Sequence, residues 1–203
     1  MKMKLSRKSD RSPKIILTAD ETMMSRYRWG IFVGFSTCMP RGIVPDWFYF
    51  SVFSPPVSSK NGRALFADSG LRIMEASLAA VFGDDEVAVV HPRNLEHVAG
   101  RQTVIIGVSG HDFLCINPPT SEFVDMLDIG PPYNRIKFFE LMKKPVMSEK
   151  IVVAGGKAAW QLTDETIMDK LNIDYVHLGE GEITVPAMFT SILAGETLPR
   201  TIK

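Results

Sequence analysis

Cysteine is nearly missing from this chain: 203 residues hold only two, Cys38 and Cys115. A disulfide scaffold shows an even, closely spaced set in a short secreted chain, so this pair predicts free thiols and a reducing, cytoplasmic setting. Net charge is missing too, with 23 basic side chains against 23 acidic ones. That balance removes any whole-chain electrostatic argument for nucleic acid or membrane binding. No apolar run approaches the ~20 residues of a membrane span, and no signal-peptide core follows the basic lead MKMKLSRKSDRSPK. The common nucleotide motifs are absent as well. Gly155-Gly156-Lys157 lacks the spacing and the following hydroxyl of a phosphate loop, and no G-x-G-x-x-G follows the first strand.

What is present is an ordinary globular composition, 45% hydrophobic and 23% charged. Short β-branched runs alternate with helical patterns. Lys14–Thr18, Glu86–Val90, Thr103–Val108, Ile151–Ala154 and Tyr175–Leu178 predict about five strands. Helices are expected over the segment bearing Met74, Leu78, Val81 and Phe82, closed by Gly83; from Thr120 or Ser121 to Met126; along a face of Ile136, Phe139 and Met142; over Thr163–Leu171; and from an opening Gly179-Glu180-Gly181-Glu182 through Met188, Phe189, Ile192 and Leu193 to Gly195. Strands alternating with helices imply a parallel sheet, hence an α/β, flavodoxin-like (Rossmann-like) doubly wound fold. Residues 23–69 interrupt the pattern with glycines, prolines and the aromatic run Trp47-Phe48-Tyr49-Phe50, and read as a long irregular insertion after strand one. The aromatic run reads as packed core and Cys38 as a buried thiol. The expected organisation is a basic arm over 1–13, the domain over 14–198 and a linker or tail over 199–203.

In an open α/β sheet, ligands sit outside the carboxyl ends of the strands. The chemistry-bearing residues do follow strands: Asp20-Glu21-Thr22, Ser109 to Leu114, Gly155-Gly156, and Gly179-Glu180-Gly181-Glu182. Glycines between strand and helix let the backbone approach a bulky ligand, though the same pair also serves as a turn device. His111-Asp112 reads as a loop hydrogen-bonding pair before a metal site. Ser109 and His111 are too close in sequence for a nucleophile–base pair. Glu180 and Glu182 are explained by a helix N-terminus.

The segments Ile16–Asp20, Gly34–Pro40, Leu71–Ala76, His91-Pro92, the Ser109–Ser121 loop, Gly155–Leu162 and Asp174–Glu182 together resemble the N-terminal cobalamin-binding domain of B12-binding radical S-adenosylmethionine proteins, over about residues 14–200. The resemblance implies a corrinoid across the carboxyl edge of the sheet, its nucleotide arm between the sheet and the glycine segment. The implied cofactor contacts are Asp20, Thr22, Ser109, Asp112, Leu114, Gly155, Gly156, Gly179, Glu180, Gly181 and Glu182. No histidine stands in Asp20–Ser25, where many cobalamin domains carry the one that ligates cobalt, so binding without a protein histidine is expected. Cys115 and Lys157 depart from a pattern that favours glycine and a smaller or prolyl residue. Two distant cysteines cannot supply the three thiolates of a radical [4Fe–4S] cluster. The cluster and S-adenosylmethionine are therefore expected in a catalytic domain or subunit outside these residues, and no catalysis is expected from this chain alone. The alternatives are a non-catalytic interaction module that has lost the ligand, and a flavin- or nucleotide-binding flavodoxin-like protein.

Overall fold

The computed structural model describes residues 12–28, 30–42, 44–127 and 130–203, so most of the expected basic arm lies outside the described residues. After β1 (Ile15–Ala19) the chain passes through α1 (Ile31–Gly34), α2 (Asp46–Phe48) and a hairpin of β2 (Ser59–Lys60) and β3 (Arg63–Ala64). It continues as α3 (Ser69–Phe82), β4 (Val87–Val89), α4 (Leu95–Val98) and β5 (Ile105–Ser109). Then come α5 (Thr120–Leu127), α6 (Tyr133–Met142), α7 (Pro145–Glu149), β6 (Ile151–Gly155), α8 (Glu165–Lys170), β7 (Tyr175–His177), α9 (Thr184–Leu193) and β8 (Thr201–Ile202). Among the described residues no helix is long and apolar enough to cross a membrane.

The main sheet runs β4-β1-β5-β6-β7-β8 with every neighbouring pair parallel. The chain steps outward from β1 to β4, then returns past β1 to β5. The order therefore reverses between β1 and β5, the switch point of a doubly wound fold. The sheet has six strands where about five were expected. The sixth is the segment taken for a tail: Thr201 and Ile202 pair with Val176 and His177, and Arg200 ties the approach by donating to Ile173 O at 3.0 Å and pairing with Asp169 at 2.8 Å. Two residues are too few to show a strand period, which is why the sequence did not reveal it.

Successive residues of a strand point to opposite faces, and the core follows that parity closely. Ile16, Ala88, Ile106, Val108, Val152 and Ala154 face the side covered by Leu95 of α4, Phe138 and Leu141 of α6, Met147 of α7 and Met168 of α8. Ile15, Leu17, Ala19, Val87, Val89, Ile105 and Val153 face the side covered by Leu71 and Leu78 of α3 and by Val185, Met188 and Phe189 of α9. Being buried on both faces explains why these strands read as continuous apolar runs.

Asp68 starts α3 by accepting from Gly70 N at 2.9 Å, and Gly83 ends it with φ 96°. The expected faces of two helices need correction. Val81 is exposed in α3, and α6 buries Phe138, Leu141 and Met142 while Ile136 and Phe139 are only partly covered. In the aromatic run, Tyr49 and Phe50 are buried against Tyr133, the two tyrosine rings stacking at 4.4 Å, whereas Trp47 is 72% exposed.

Candidate functional site

The face of the sheet under α3 and α9 loses its large side chains towards the carboxyl edge. One rung carries Leu17, Gly107 and Val153 in register, and the next carries Ala19, Ser109 and Gly155. A Cβ at Gly107 would lie 2.7 Å from Leu17 Cδ2, so the glycine lets the leucine lie across it. The result is a cavity of about 580 Å³ between this thinned floor, α3 and the start of α9. Its apolar surface comes from Leu17, Leu71, Met74, Val153, Val185 and Phe189. Ser109, Lys157, Trp160, His177 and the Gly179–Glu182 segment also line it. The volume lies in the ~300–1,000 Å³ range of small-molecule sites, and an apolar surface with a few polar atoms is their usual character.

The adjacent glycines have different reasons to be glycine. Gly156 has φ 95°, and a Cβ there would lie 2.9 Å from Gly110 O, so the fold itself requires it. Gly155 has an ordinary φ, and a Cβ there would meet nothing within 4 Å. Nothing in the protein forbids a side chain at Gly155; it would occupy the cavity.

A second cavity, about 500 Å³, lies over the β1/β5 switch point. Asp20, Thr22, Cys38, Asp68, His111, Asp112 and Asn134 are among its lining residues. Its polar groups are largely engaged with one another. Asp20 Oδ1 accepts from Thr22 N at 2.7 Å, from the Thr22 hydroxyl at 2.5 Å and from Met23 N at 3.4 Å. Burial nonetheless pushes the Asp20 carboxyl above its ordinary pKa, against the pull of those donors. Asp112 Oδ1 accepts from Ile116 N at 3.1 Å and Gln161 Nε2 at 2.7 Å, and Gln161 Oε1 in turn accepts from Leu114 N at 2.8 Å. His111 does not pair with Asp112; its Nε2 lies 3.8 Å from Asp68.

The structure thus brings Ser109, Gly155, Gly156, Gly179, Glu180, Gly181 and Glu182 together around the first cavity. Asp20, Thr22 and Asp112 stand around the second, and Leu114 lines neither. Glu180 and Glu182 do not sit in the first turn of the last helix. α9 starts at Thr184, with Val185 N donating to Gly181 O at 2.9 Å just ahead of it, so both carboxylates stand beside the helix N-terminus. Lys157 lines the cavity as its position implied, and Cys115 holds φ 60°, a left-handed conformation that favours glycine. Its buried thiol is pushed well above the ordinary cysteine pKa by burial. Gly107, Trp160 and His177 were missed. Counting in steps of two from Ile105 and from Tyr175 places Gly107 and His177 on the cavity face, a signal the sequence did carry. Among the described residues no cluster of three or more His, Cys, Asp or Glu side chains is arranged to hold a metal ion. No family model matches the chain, and no characterised protein and no solved structure matches it either.

Proposed function

We propose that this chain is a cobalamin-binding module of a B12-dependent radical S-adenosylmethionine system, with the iron–sulfur cluster and S-adenosylmethionine held by a catalytic domain or subunit outside these residues. The observation that carries the reading is the cavity beside Gly155, mostly apolar in its lining and open where a Cβ would stand. The resemblance called for such a slot at this position, between the sheet and the glycine segment. Leu17, Val153 and Phe189 would pack against the ring of the nucleotide arm, and Ser109 and the Gly179–Glu182 backbone would border it. Bound cobalamin supplies a cobalt centre able to carry an alkyl group. The residues of this chain hold and orient it and shield one face from water.

The loop after β1 would lie beneath the corrin, and its Asp20 carboxylate is turned into the Thr22 and Met23 donors, with no histidine beside it. The experiment is direct. The purified protein is mixed with hydroxocobalamin and passed through gel filtration. Corrinoid absorbance travelling with the protein at near one-to-one stoichiometry is the expected result. Cofactor eluting wholly apart from folded protein would sink the reading, and a yellow protein as purified would favour the flavin alternative.

A further inference from the structure

An apolar cavity fixes the orientation of its ligand through the few polar atoms that reach it. His177 supplies one. It ends β7 on the cavity face, lines the cavity and is 3% exposed. Its Nε2 lies 2.7 Å from Thr184 Oγ1, and the single proton of that hydroxyl goes to Glu180 O, 3.1 Å away. Both contacts are hydrogen bonds only where the threonine oxygen accepts from Nε2–H, the arrangement that puts the ring proton on Nε2. Nδ1 is left as a bare acceptor. It makes no hydrogen bond among the described residues, and it is not one of the buried side-chain atoms sealed without a partner. Burial holds the imidazole below its ordinary pKa, which favours the neutral ring.

We infer that His177 is a specificity-determining residue of this cavity, its Nδ1 accepting a hydrogen bond from a sugar hydroxyl of a nucleoside whose flat base lies on the apolar floor. A ligand without a donor would desolvate that nitrogen and give it nothing in return. The inference deepens the proposed cobalamin site and rests on it for the identity of the nucleoside, since the arm of cobalamin ends in α-ribazole, a ribosylated dimethylbenzimidazole. Thr184 and Glu180 act through the imidazole as positioning groups.

The test uses the full chain and five probes: hydroxocobalamin, cobinamide, which has the corrin but no nucleoside, α-ribazole, dimethylbenzimidazole and adenosine. Nitrogen-15 NMR of the ligand-free protein is expected to show the His177 ring protonated on Nε2 alone near neutral pH. By titration calorimetry, α-ribazole should bind at least about tenfold tighter than dimethylbenzimidazole. His177→Phe should erase that difference, and His177→Asn, which can offer an amide oxygen near the Nδ1 position, should keep most of it. A ring protonated on Nδ1 overturns the inference. So does failure of every nucleoside to bind. If His177→Phe does not fold, His177→Asn and the tautomer still decide. Hydroxocobalamin held equally well by wild type and His177→Phe would defeat the role of His177 and leave the cobalamin site standing. Adenosine bound through His177, with hydroxocobalamin not retained, would do the reverse.

Discussion

The two cavities at the carboxyl edge of the sheet are similar in volume, about 580 and 500 Å³, and opposite in how their polar groups are used. Around the polar cavity the carboxylates of Asp20 and Asp112 accept hydrogen bonds from their own loops, so their chemistry goes into holding backbone in place. Around the apolar cavity, Gly155 leaves open space, and His177 Nδ1 makes no hydrogen bond among the described residues. The difference teaches that conspicuous polar residues after strands can be structural, while the space for a ligand is made by side chains that are small or missing. A strand-end aspartate satisfied by nearby amides builds a turn. A strand-end glycine facing open space has no such internal use.

The sharpest way to break this comparison is to exchange the reasons behind the paired glycines. Gly155→Phe should fold, because its backbone is ordinary and its Cβ is unopposed, yet it should lower hydroxocobalamin affinity by about 100-fold or more by filling the slot. Gly156→Ala should instead lose stability, by ~1–3 kcal/mol, because of its positive φ, with the approach to Gly110 O adding to that. Urea unfolding and cofactor retention measured on both variants separate the two. Equal stability losses with equal affinities would erase the distinction drawn between them.

A second effect concerns pH. His91 is buried, its Nδ1 accepts from Arg93 N at 3.2 Å, and burial pulls its pKa down to about 4, against the opposing influence of Glu21. Between its unfolded value near ~6.5 and the folded value, the unfolded chain binds a proton that the folded chain refuses, so stability falls as pH drops through that window and levels off below it. The loss should be on the order of 2–3 kcal/mol. His91→Asn should flatten the slope in urea unfolding followed from about pH 7 to pH 4. An unchanged slope would show that other groups carry it.

The smallest effect tests the polar cavity as structure. Gln161 joins the two ends of its loop, donating to Asp112 Oδ1 and accepting from Leu114 N, and it is buried. Gln161→Met should cost ~1–2 kcal/mol through the unpaired amide and carboxylate it leaves behind. Cofactor affinity should change less than about threefold, since Gln161 lies outside both cavity linings. A large affinity loss with stability intact would mean that the loop, and not the apolar slot, is the binding element.

Much of this was readable in residue order. The apolar runs at Ile15–Leu17, Val87–Val90, Ile105–Val108, Ile151–Ala154 and Tyr175–Val176 announced strands buried on both faces, and the glycines at 155, 156, 179 and 181 marked the edge where a ligand would approach. The register that sets Ala19, Ser109 and Gly155 on one rung was not readable, because pairing between distant strands is fixed by how the helices pack. Nor was the setting of His177, whose Nε2 meets the Thr184 hydroxyl seven residues on, across the turn into α9.

The sequence by itself determined the class of fold and the run of glycines at the carboxyl edge of the sheet, because hydrophobic periodicity and glycine placement are local properties of a chain. Only the tertiary structure decided which residues line each cavity and which polar groups are already engaged. Space and hydrogen-bond partners come from segments far apart in the chain, and exist only once the sheet has brought them together.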